Sequence, residues 1–109
     1  MINWDRVMEL RSEIGPDDFA EVAQMFLEEA DDVVLRLSAN DDAKTMESNL
    51  HFLKGSALNL GFGALSTLCQ DGERRAAGGD TSIDVDAVRT VYFASKSAFE
   101  ARMATAFAA

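Results

Sequence analysis

The sequence predicts an all-α domain, an antiparallel up-down four-helix bundle with a short accessory helix at its N-terminus. Three observations carry this expectation. Apolar residues recur every three or four positions, with no sustained alternation of period two. The stretches between are punctuated by Gly, by the single proline Pro16, and by Asn/Asp pairs. Those breaks are only about two to five residues long, which leaves sequence neighbours little choice but antiparallel packing.

Val7, Leu10 and Ile14 mark the short first helix, which stops at Gly15 ahead of Pro16. Asp17 or Asp18 is expected to cap the second helix. Its apolar stripe is Phe19, Val22, Ala23, Phe26, Ala30, Val33, Val34 and Leu37, with Glu21, Glu28, Glu29, Asp31 and Asp32 outside it as a solvated face. The break Asn40-Asp41-Asp42 supplies caps for a third helix carrying Met46, Leu50, Leu53, Ala57 and Leu60, and Gly61-Phe62-Gly63 ends it. A fourth helix runs from about Ala64 through Leu65, Leu68 and Cys69 to Ala77. Gly72 lies on its apolar side, where glycine costs about 1 kcal/mol against Ala unless it lets a neighbouring helix approach. After Gly78-Gly79-Asp80, Thr81 or Ser82 is expected to start a fifth helix with Val85, Val88, Tyr92, Phe99 and Met103, whose Ala-rich end frays.

Composition narrows the function. The 109 residues make one domain, residues 1–109, and 48% hydrophobic content is enough for a packed core. Ten Lys+Arg against 19 Asp+Glu give a net charge of −9, opposite to what a phosphate-backbone binder needs, so no nucleic acid is expected as partner. No apolar run approaches the roughly eighteen residues of a membrane span, and Met1-Ile2-Asn3-Trp4-Asp5-Arg6 lacks the order of a secretory signal. Cys69 is the only cysteine and has no intrachain partner, as in a reducing compartment. A cytoplasmic monomer is expected.

The chain holds one imidazole, His51. Stepping about 100° per residue around the third helix places it roughly 140° from the centre of the core stripe, facing water. Taken alone, a single histidine is more often incidental than functional. Its surroundings are less ordinary. Glu47, Ser48, Lys54, Gly55 and Leu58 share its face. Gly55, inside an otherwise good helix, removes a side chain that would crowd the ring. Lys54, at i+3, can bring an ammonium toward an anion carried on a ring nitrogen, or can equally be a solvated lysine paired with Glu47. Leu58 and Phe52 put apolar surface near the ring, as a docking rim would; Phe52 can equally tuck under the N-terminal helix or pack on a neighbour. Ser56 falls near the core edge and reads as a packing residue.

The run His51-Phe52-Leu53-Lys54-Gly55-Ser56-Ala57-Leu58-Asn59-Leu60-Gly61 resembles the signature of histidine phosphotransfer (HPt) domains, in which His, then Lys-Gly-Ser or Lys-Gly-Ala, then an apolar residue and Gly follow at this spacing. The resemblance extends in outline from Trp4 to Phe99. It implies a phosphocarrier of a multistep phosphorelay in two-component signal transduction. His51 would be the phosphoacceptor, taking the group from a receiver-domain aspartyl phosphate and passing it to another receiver. Lys54 would stabilise the phosphoryl group and Gly55 would admit the partner's pocket, with Phe52, Leu58, Glu47 and Ser48 at the docking surface. Two positions depart from the pattern: the residue before the histidine, often Ala, is Leu50, and the Leu-Glu pair common in the next helix is Gly72-Glu73.

Such a carrier is not an enzyme with its own ATP site. Lys54-Gly55-Ser56 reverses the order of a P-loop and lies within a helix, and no kinase glycine loop is present. No cofactor of its own is expected; Mg2+ would come with the partner receiver. The partners implied are receiver domains of response regulators or hybrid kinases. A rival from another class is a non-catalytic helical adaptor that binds a receiver or kinase through the same face without carrying phosphate. A di-iron bundle needs Glu-x-x-His units from two helices, and one histidine does not supply them.

Overall fold

The computed structural model describes the backbone of residues 1–106 and the side chains of residues 1–104. Its elements are α1 (Trp4–Ile14), α2 (Pro16–Arg36), α3 (Ala43–Leu60), α4 (Gly63–Ala77) and α5 (Val85–Ala106), with no strand among the described residues. Helices α2 to α5 form a closed ring of neighbours, α2 on α3, α3 on α4, α4 on α5 and α5 on α2, and α1 lies against α2 and α3. Arg89, near the start of α5, donates to the carbonyls of Val34 and Leu37 at the end of α2, which fixes those two helices as antiparallel. The guanidinium also satisfies carbonyls that a helix C-terminus leaves open. This is the expected up-down four-helix bundle with its accessory helix.

Local chemistry sets most boundaries. Asn3 caps α1 by accepting from the amide of Arg6, and Asp42 caps α3 by accepting from that of Thr45 at 2.7 Å. Gly61 closes α3 in the left-handed region, φ 77°. Two starts differ from the sequence reading. Gly15, at φ 104°, is the only residue between α1 and α2, so Pro16 takes the first position of α2, and Asp17 and Asp18 sit in its first turn instead of capping it. The fifth helix begins at Val85 behind an Asp84 cap, not at Thr81 or Ser82. Residues before it form a turn in which Asp80 accepts from the amide and hydroxyl of Ser82 and pairs with Arg75. The last residues of the Ala-rich end, 107–109, fall outside the described residues.

The core follows the predicted stripes: Phe19, Ala23, Ala30, Val33 and Val34 of α2 meet Met46, Leu50, Leu53, Ala57 and Leu60 of α3, with Leu65, Cys69, Val88, Tyr92 and Phe99. Leu27 is buried as well, while Val22 and Phe26 are half-exposed. Asp31, expected on a solvated face, instead faces α5, where Tyr92 Oη donates to it and Lys96 Nζ pairs with it at 2.7 Å. No helix among the described residues is long and apolar enough to cross a membrane.

Accessory helix α1 is tied to one end of the bundle. The Asn3 amide donates to the Gly61 carbonyl, Arg6 Nε donates to the Leu58 carbonyl, and the Trp4 ring stacks on Phe99 at 6.2 Å between centroids with Arg102 lying over it.

Candidate functional site

His51 sits midway along α3, on its outer face, with a side chain 69% exposed. The adjoining residues explain why. Leu50 and Leu53 are wholly buried, so the helix is rolled with their side toward the core, and His51 is turned outward. Ser56 is buried at the core edge, as expected for a packing residue.

The ring is held from α4. Nδ1 of His51 stands 2.8 Å from Oε2 of Glu73, and the other oxygen of that carboxylate stands 2.7 Å from Nζ of Lys54. One carboxylate thus joins the imidazole and the ammonium. Both Lys54 and Glu73 are largely sheltered, at 24% and 18% exposure, which strengthens the pair over a fully solvated one. The hydrogen bond from Lys54 holds the Glu73 carboxyl below the usual carboxylate range; partial burial opposes this, and His51 adds to it. Glu73 is therefore ionised at neutral pH and can only accept. In a neutral ring the proton then resides on Nδ1, and Nε2 presents its lone pair to solvent.

The other site residues fall around this centre. Lys44, Glu47 and Ser48 line a shallow depression with His51 and Glu73. Gly55 is open: a Cβ placed on it would meet nothing within 4 Å, so the gap beside the ring is not filled by the protein's own chain. Leu58 is 55% and Phe52 39% exposed. Phe52 lies not under α1 but beside α2, in a groove with Glu29, Asp32 and Arg36. Lys54 pairs with Glu73, not Glu47.

Glu73 was named from the sequence only in the Gly72-Glu73 pair and not as a site residue. It lies 22 residues from His51, on another helix, and only the folded register of α3 against α4 brings the two together. That register is close. A Cβ on Gly72 would come within 2.8 Å of Leu50 Cδ1, so the two positions that depart from the HPt pattern, on separate helices, lie against each other. Near the site, Cys69 is wholly buried and burial pushes its thiol up to about 12, which leaves it inert as a nucleophile. No group of three or more His, Cys, Asp or Glu side chains placed to hold a metal occurs among the described residues.

Neither the curated proteins nor the solved structures include a significant match to the chain. A family model described as the Hpt domain matches residues 21–107, which takes in all but the first five residues of α2, the whole of α3 to α5 and the whole of the site. The chain belongs to the Hpt domain family, phosphocarrier modules that serve phosphotransfer in two-component phosphorelays.

Proposed function

We propose that the chain carries a phosphoryl group on Nε2 of His51, accepting it from an aspartyl phosphate of a receiver domain and passing it to a second receiver. The observation that carries this reading is the exposed ring whose Nδ1 is engaged by an ionised Glu73, beside the open flank at Gly55.

The chemistry asks little of the protein beyond alignment and charge compensation. The Nε2 lone pair attacks phosphorus, the N–P bond forms as the acyl O–P bond breaks, and the partner's aspartate leaves as a carboxylate. The ring, still protonated on Nδ1, gains positive charge in the process. Glu73 stands where that charge develops and stabilises it, in addition to fixing the tautomer. Lys54, one of whose three N–H donors is engaged by Glu73, offers the others to the phosphoryl oxygens. Gly55 leaves the partner's pocket room to reach the ring, with Phe52, Leu58, Glu47 and Ser48 forming the surface it meets. Magnesium, brought by the receiver's acidic pocket, supplies further neutralisation of the phosphoryl oxygens. Return transfer to a second receiver runs the same step backwards.

The test is incubation with a phosphorylated receiver. Wild type is expected to take up an acid-labile, alkali-stable label, and His51→Gln to take up none while keeping its helical circular dichroism. A label that persists on a folded His51→Gln overturns the assignment.

A further inference from the structure

We infer that Gly72 is a positioning residue for His51: by lacking a Cβ it lets Leu50 seat against α4, and this contact sets the separation at which Glu73 meets the imidazole. The consequence for phosphotransfer rests on the function proposed above; the consequence for the ring does not.

The two contacts are consecutive on both helices. Leu50 meets Gly72, and the next residue of each helix, His51 and Glu73, makes the polar contact at 2.8 Å. Gly72 has no conformational reason to be glycine. It lies inside α4 and is not among the glycines with positive φ, which are Gly15, Gly61 and Gly79. Glycine is the poorest helix former after proline, so an interior helical glycine calls for a reason in space. Space is what the structure provides. A Cβ at position 72 would stand 2.8 Å from Leu50 Cδ1 and 3.5 Å from Ile83 Cγ2. Leu50 is wholly buried and has no route into solvent, so a side chain at 72 must push α4 outward or force Leu50 to repack within a dense core.

Outward movement would act first on Glu73. Its hydrogen bond to His51 and its ion pair with Lys54 stand at 2.8 and 2.7 Å, and a retreat of even about 1 Å takes the first beyond hydrogen-bond range and weakens the second. The chain then keeps an exposed histidine but loses the group that decides which nitrogen bears the proton. Gly72 and Leu50 thus behave as a hole and the knob that fills it, and what they hold in register is the polar pair one residue further on.

The experiment uses the full chain in four forms: wild type, Gly72→Leu, Leu50→Ala, and the double variant, which exchanges the large and small partners at nearly constant volume. With one histidine in the sequence, 15N–1H correlation spectra report the Nδ1-H tautomer of His51 without overlap. Wild type is expected to show the Nδ1-H form. Gly72→Leu is expected to lose that signature and to accept phosphate about tenfold or more slowly, and the double variant to recover the signature and a rate within about twofold of wild type. If Gly72→Leu does not fold, Gly72→Ala is expected to show a partial loss of the same signature. The proposal is overturned if wild type lacks the Nδ1-H form, or if a folded Gly72→Leu or Gly72→Ala keeps it undiminished. It is overturned equally if the double variant folds without recovering it. Failure of wild type to accept phosphate would instead remove the phosphocarrier reading and leave the tautomer result to decide the positioning role.

Discussion

Glu73 reaches from α4 to the exposed histidine of α3 and accepts from its Nδ1 at 2.8 Å, while its second oxygen holds Lys54. Removing the carboxylate as Glu73→Ala deprives the ring of its acceptor and releases the ammonium together. The rate of phosphoryl uptake is expected to fall by up to about a hundredfold, as for other losses of alignment at a reacting centre. Glu73→Gln, which still offers an acceptor oxygen but no charge, should fall between. Stopped-flow or quenched transfer from a phosphorylated receiver measures both.

Gly55 separates stability from access. With open space where its Cβ would be and an ordinary helical backbone, Gly55→Ala should raise stability by about 0.5–1 kcal/mol, visible as an increase of several degrees in Tm. Gly55→Trp should also fold, yet slow transfer by about tenfold or more because the indole occupies the flank a receiver must enter. An unchanged rate in a folded Gly55→Trp would contradict the access role.

Gly61 is constrained twice over. It lies at φ 77°, and a Cβ there would come within 2.6 Å of the Asn3 carbonyl oxygen. Gly61→Ala is expected to lower stability by about 1–3 kcal/mol in urea denaturation and to loosen the junction between α1 and α3.

Acid sensitivity should centre on the turn before α5. The hydroxyl and amide of Ser82, with Arg75, lower the Asp80 carboxyl to about 2. Its native form therefore binds fewer protons than the unfolded chain between that value and the ordinary carboxylate value near 4. The stabilisation is complete above this window and is lost as pH falls through it. Asp80→Asn should be less stable than wild type at pH 7, with the gap narrowing as pH drops toward 2. Denaturant titrations at a series of pH values check the sign.

Much of this architecture could be read in advance because the information is local. The face that carries His51 follows from helical periodicity, and the end of α3 follows from Gly61 and its left-handed backbone. What escaped the sequence depends on how one helix registers against another. Glu73 reads as one more solvated acid until α4 is laid against α3, and Asp31 likewise until Tyr92 and Lys96 arrive from α5. Thr81 and Ser82 mimic a helix start, but Asp80 already uses the Ser82 hydroxyl and amide, which leaves Asp84 to begin the helix. The family signature reached His51, Lys54 and Gly55 but not the residue that joins two of them, because Glu73 lies on the next helix and meets them only through the register of α4 against α3.

The stacking of Trp4 on Phe99 beneath Arg102 gives the accessory helix an optical label of its own. No other indole is present in the chain, so its emission belongs to α1 alone. Undocking of that helix would move the fluorophore from a half-covered aromatic seat into water and shift its spectrum, while circular dichroism followed the remaining helices. Separation of the two signals during unfolding would tell whether the N-terminal segment leaves first or departs with everything else.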